Sequence, residues 1–139
     1  MSFVAAFILG LVSGLRVFTA PAALYLARGG LASIVLVAAA VVEYVVDALP
    51  WTPSRTMPVQ VGARIVSGAF VGWAAIALSG IHAPIPGVAL GIVGALTGTY
   101  GGSIARRWGI ARVGAIPAAI VEDVIAIALA AFAATRLPA

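Results

Sequence analysis

Five stretches of the chain, residues 3–27, 31–49, 60–79, 85–105 and 113–135, are hydrophobic on every side rather than at alternate positions. Uninterrupted runs of about 20 apolar residues predict helices that cross a bilayer. The other way across, a closed barrel, needs segments of about ten residues with alternating polarity, and none of these stretches alternates. The expected fold is therefore an all-α integral membrane protein, a small bundle of about five transmembrane helices forming one domain over residues 1–139. Gly29-Gly30, Pro50, Pro53, Pro58, Pro84, Pro86 and Gly109 punctuate the stretches. The first stretch is interrupted in its middle by Ser13-Gly14-Leu15-Arg16 and by Pro21, which predicts either a broken helix or a re-entrant hairpin.

Composition closes off other classes. Hydrophobic residues make up 63% and charged residues 9%, with mean hydropathy +1.19, whereas a soluble domain is about half apolar and a quarter charged. No soluble domain fits beside the helices. Cysteine is absent, which excludes disulfides, thiolate metal sites and cysteine nucleophiles. The run at residues 3–12 has the length of a signal peptide but no basic leader, so it is expected to stay in the mature protein.

The net charge of +4 comes from arginine alone. Arg55 follows the second stretch and Arg106, Arg107 and Arg112 follow the fourth, against Arg28, His82 and Arg136 on the other side. That bias puts the second and fourth connections in the cytoplasm and reads as membrane anchoring, with no nucleic-acid partner. Five full spans would place the amino terminus inside. A re-entrant first stretch would place it outside and leave both arginine-bearing connections cytoplasmic.

Six charges fall at membrane depth: Arg16, Glu43, Asp47, Arg64, Glu122 and Asp123. Such charges cost from about 2.5 kcal/mol upward at the bilayer centre and persist when paired in a bundle or facing a wet cavity. Two arginines against four carboxylates leave an excess of acid, the arrangement a proton- or cation-coupled site needs; the plainer alternative is a set of structural ion pairs fixing helix register. Glu43 and Asp47 share a helix face. Glu122 and Asp123 diverge by about 100° and cannot meet one partner unless the helix is distorted. Pro117 and Pro21 supply candidate distortions by freeing the carbonyls of Val113 and Val17. Depth along five spans predicts Arg64 against Asp47 or Glu43, and Arg16 against Glu122 or Asp123, with Glu122 the first candidate for handling a proton or cation. A seven-residue match between residues 14–20 and 62–68 suggests an internal repeat of the kind transporters show.

Gly87, Gly91, Gly94, Gly98 and Gly101 recur at spacings of four and three, a seam for close helix packing. With Gly10, Gly14, Gly68 and Gly72 it predicts glycine-faced contacts and a homo-oligomer. Thr97, Thr99, Tyr100 and Ser103 supply hydroxyls for backbone carbonyls or for a carboxylate. Trp51 and Trp108 at helix ends fit interfacial anchors, His82 a solvated turn, and the arginines after the fourth stretch anchors or an anionic-lipid contact. No phosphate loop, nucleophile elbow or zinc motif is present, so neither cofactor nor metal is expected.

Ser13-Gly14-Leu15-Arg16 with Phe18, the segment Glu43-Tyr44-Val45-Val46-Asp47-Ala48-Leu49-Pro50, the run from Arg64 to Gly72, and Val121-Glu122-Asp123-Val124 occur in the order seen in a family of bacterial membrane proteins, domain of unknown function 4126, which the chain resembles over nearly its whole length. Two features depart from that pattern: the connections are short, and residues 51–58 lack the usual lead into the third helix. The resemblance implies a shared role for Arg16, Glu43, Asp47, Glu122 and Asp123, and residence in the cell (inner) membrane of a prokaryote. The sequence as a whole points to a small transporter-like or channel-like protein, with membrane lipids and a small solute, proton or ion as its partners. A scaffold with purely structural ion pairs is the alternative, and a lipid-modifying enzyme a third reading.

Overall fold

In the computed structural model the chain forms six α-helices: α1 (Ser2–Leu15), α2 (Thr19–Leu26), α3 (Leu31–Asp47), α4 (Pro58–Leu78), α5 (Pro84–Val113) and α6 (Ala115–Thr135). The structure describes residues 1–26, 28–47, 49 and 54–138, and no strand occurs among them. Pro50 and Pro53, expected to break the second connection, and Trp51, expected as an anchor, lie outside the described residues, as does Ala27 at the expected end of the first stretch.

Three helices, α4, α5 and α6, are long and apolar enough to cross a membrane, fewer than the five expected. The first stretch is two pieces of 14 and 8 residues, about 21 and 12 Å long, short of a hydrocarbon core of about 30 Å. The second stretch ends as a helix at Asp47 after 17 residues, about 26 Å. In contrast, α5 runs for 30 residues, straight through Gly109. An internal glycine costs a helix only about 1 kcal/mol, whereas Gly114 sits at φ 90°, a conformation that ends a helix and that other residues avoid. Gly114 is the true stop.

Pro117 is the third residue of α6, inside the first turn where no N–H donor is required, so the distortion expected there does not arise. Pro21 occupies the same place in α2, and there the chain does break just upstream. Residues 14–20 span the end of α1, the break and the start of α2, whereas residues 62–68 lie within α4. Their sequence match is not a structural repeat.

The core is built on small residues. Helix α5 packs on both α1 and α4, which also meet each other: Gly91 and Gly94 face α1 near Gly10, Gly98 faces Gly14, and Gly87 and Gly91 face Gly72 and Gly68 of α4. Without a side chain on either partner the backbones come close enough for dense dispersion contact. The order of these contacts makes α1 parallel to α5 and α4 antiparallel to it. Gly101 faces open space, so the seam ends one glycine early. Because the glycine faces of α1, α4 and α5 meet inside one chain, they offer no ground for the expected oligomer.

α2 turns back. The Arg16 side chain meets Asp123 in the first half of α6, while Arg28 donates to the carbonyl of Pro138, past the end of α6, at 2.8 Å. Helices α1 and α2 thus form a hairpin whose tip, residues 16–18, stops inside the bundle. The outer faces of the bundle carry Ile34, Val66, Val121, Ile125 and Ile127 exposed, a surface far more apolar than a water-soluble monomer shows. With the three long apolar helices, this marks the chain as membrane-associated.

Candidate functional site

Breaking a helix leaves carbonyls at one end and amides at the other without partners, and at depth each must be satisfied. Two charged residues do this at the hairpin tip. Arg64, on the second turn of α4, donates through Nη1 to the carbonyls of Gly14 (2.5 Å) and Leu15 (2.8 Å) at the end of α1. Glu43, on the last turn of α3, accepts from the amides of Val17 (2.6 Å) and Phe18 (2.9 Å) at the start of α2. A cation on carbonyl ends and an anion on amide ends is the arrangement that the helix dipole favours. Ser67 Oγ donates to the carbonyl of Val17 at 2.6 Å, the one that Pro21 leaves without a helical donor. Thr99 Oγ1 adds a 3.3 Å bond to the carbonyl of Gly14.

Between the capped ends sits Arg16, 2% exposed. Its Nε and Nη2 donate to one oxygen of Asp123 at 2.9 and 2.5 Å, and its Nη1 pairs with Asp47. The Tyr44 ring lies 5.0 Å from the guanidinium carbon, within cation–π range, and the Tyr44 hydroxyl bonds Thr19 Oγ1 at 2.8 Å. The expected meeting of Arg16 with Asp123 is present. Arg64, however, meets neither Asp47 nor Glu43 through a hydrogen bond or ion pair among the described residues, because the backbone ends of α1 claim its guanidinium. Asp47 goes instead to Arg16.

Glu122 points away from Asp123, as adjacent helical positions must. It pairs with Arg55 at 2.5 Å and with Arg106 at 3.6 Å. Neither arginine belongs to the six charges singled out in the sequence. Once both are counted, arginines match carboxylates at this level, and the acid excess behind the proton and cation reading disappears. The hydroxyls of Thr97, Thr99 and Ser103 all serve backbone carbonyls.

Thr99 serves backbone carbonyls, as its hydroxyl was expected to; Ser67, Tyr44, Arg55 and Arg106 are the members that sequence reasoning missed. Ser67 lies three residues after Arg64 and so shares its helix face, a readable signal. Arg55 and Arg106 had none, because Arg55 sits in a connection and Arg106 reaches Glu122 from α5 continued past Ala105.

Two cavities meet this cluster from the end of the bundle where α4 begins. One, of about 320 Å³, is polar and lined by Arg55, Arg64, Arg106, Arg107, Asp47 and Gln60, with Ser54, Thr56 and Ser103. Its four arginines outnumber the carboxylates nearest them, Asp47 in the lining and Glu122 shared by Arg55 and Arg106, and leave it electropositive. The second, of about 590 Å³, is an apolar groove between the ends of α5 and α6, lined by Leu15, Val113, Ala118, Val121 and Ile125, with Arg106, Arg112 and Glu122 at its edge. Arg106, which shares Glu122 with Arg55, lines both. Trp108, at the groove, is exposed and carries Arg112 over its ring at 3.7 Å, which suits an interfacial position. His82 is exposed in the turn after α4, at the opposite end. Among the described residues no group of three or more metal-ligating side chains is arranged to hold an ion. No protein-family model, curated protein or solved structure matches the chain.

Proposed function

We propose that this is a small transporter-like or channel-like membrane protein, akin to domain of unknown function 4126, in which a polar vestibule on the cytoplasmic side ends at the re-entrant tip of α1 and α2. Helices α4, α5 and α6 span the bilayer, α3 is a shorter fourth span, and the amino terminus lies outside. This keeps Arg55, Arg106, Arg107 and Arg112 on one face, in accord with the positive-inside rule. The observation that carries the reading is the charged tip itself. Non-helical backbone at membrane depth is tolerated where it is buried in protein or lines a wet cavity, and broken helices flanked by charges build the sites of many carriers. Here the break lies beside Arg16, and Asp47, which pairs with it, lines the vestibule.

The vestibule's charge favours an anion over a proton or cation as the solute. In proteoliposomes the chain is expected to raise chloride or phosphate flux above that of empty vesicles and above potassium flux, with or without a pH gradient. Thr56→Trp, which narrows the vestibule from the connection before α4, is expected to lower it severalfold. Folded protein that passes none of these ions would remove the transport reading.

A scaffold role is the second reading. It is favoured by the completeness of the pairing, since all four carboxylates have an arginine or amide partner. The groove does touch one acid, Glu122, as a lipid-modifying enzyme would require. But that acid is held between two arginines, and the sole histidine is at the far end.

A further inference from the structure

We infer that the vestibule and the neighbouring groove together form one binding site for a phosphomonoester lipid: the phosphate among the arginines, an acyl chain along α5 and α6. The inference rests on reading this end as the inner membrane face, not on transport.

Arg55, Arg64, Arg106 and Arg107 converge on a cavity that offers a single carboxylate, Asp47. Guanidinium donors in a fixed fork match phosphate oxygens, and a phosphomonoester carries about −1.5 to −2 charge, which suits this excess of cations better than a singly charged or zwitterionic headgroup does. Not all of the arginine donors are engaged. Arg64 is 2% exposed, yet its Nε has no hydrogen-bond partner among the described residues. Arg107 forms no hydrogen bond or ion pair there, and the contact of Arg106 with Glu122 is a loose 3.6 Å.

A free anion would need only this pocket. What points to a lipid is the groove beside it, lined by Leu15, Val113, Ala118, Val121 and Ile125 and reached across Arg106, which lines both cavities. A cationic chamber that shares Arg106 with an apolar trough at the end of two long apolar helices is complementary to an anionic amphiphile lying in the inner leaflet. Both volumes fall in the range of small-molecule sites, about 300–1,000 Å³.

The test is competition for labelled phosphatidate on the purified full chain in neutral detergent. Unlabelled phosphatidate should compete at least about tenfold better than phosphatidylcholine, and better than inorganic phosphate. Arg107→Gln should weaken binding about fivefold, the expected loss for one surface arginine. Val121→Gln, which puts an amide in the groove, should also weaken it, with thermal unfolding of both variants unchanged. Equal competition by phosphatidylcholine would overturn the proposal. So would inorganic phosphate matching phosphatidate while Val121→Gln binds normally, an outcome that identifies a free-anion site. Lipid binding without ion flux would sink the transport reading alone; ion flux without lipid selectivity would sink this one alone.

Discussion

Arg16→Met is expected to destabilise the folded protein by about 3–5 kcal/mol, the usual consequence of removing one partner from a buried ion pair. The substitution keeps much of the side-chain volume and removes the cation shared by Asp47 and Asp123, so two carboxylates would face each other across the hairpin tip. With typical stabilities of about 5–15 kcal/mol, much of the protein's margin would go. Asp123→Asn should be milder, because Arg16 keeps Asp47. The triple variant Arg16→Met with Asp47→Asn and Asp123→Asn should recover part of the loss, since no unpaired charge remains. Denaturant unfolding in detergent reads all three. Stability of Arg16→Met within about 0.5 kcal/mol of the parent, the range of ordinary surface changes, would mean that the cluster does not hold the tip.

The second large effect belongs to the seam. A Cβ at Gly91 would lie 2.0 Å from the carbonyl oxygen of Gly68, and one at Gly98 would lie 2.1 Å from that of Leu11. The obstacle in both cases is backbone, which cannot rotate aside as a side chain can. Gly91→Leu must push α4 and α5 apart, at a cost above the roughly 1–3 kcal/mol of ordinary overpacking; loss of monodisperse folded protein is the expected result. Gly101 shows the opposite sign. Nothing lies within 4 Å of a Cβ there, so Gly101→Ala should be neutral or stabilise by up to about 1 kcal/mol through helix propensity. Comparable losses at Gly91 and Gly101 would contradict the packing described.

These two features were legible in the sequence to different degrees. The glycine seam is a spacing, and spacing on one helix survives any arrangement of the others; the glycines of the first and third stretches were readable too, and only their meeting with the seam inside one chain was out of reach. The interruption at Ser13 to Pro21 was also readable, because a proline and a glycine-arginine pair in an apolar run weaken a continuous helix. The pairing of charges was not. Depth along the chain assumed that each stretch crosses completely, which set Arg64 level with Asp47 and left it free to pair. Folding α1 and α2 into a hairpin creates orphan carbonyls and amides that exist only once the tip is formed, and these take Arg64 and Glu43. Glu122 illustrates the same difficulty from the other side. Its partners come from a connection and from a helix extension beyond Ala105, and the stop at Gly114 depends on a backbone angle that composition does not reveal.

In the proposed topology the hairpin turns back beneath a vestibule open to the cytoplasm. The chain contains no cysteine, so single cysteines can be introduced without altering the background. Ser2→Cys and Gln60→Cys, placed at the start of α1 and in the vestibule, would each be exposed to a membrane-impermeant thiol reagent in right-side-out and inside-out vesicles. Ser2→Cys should be labelled from outside only and Gln60→Cys from the cytoplasmic side only. Labelling of both from the cytoplasmic side would mean that the first stretch crosses the bilayer completely, and would contradict that topology.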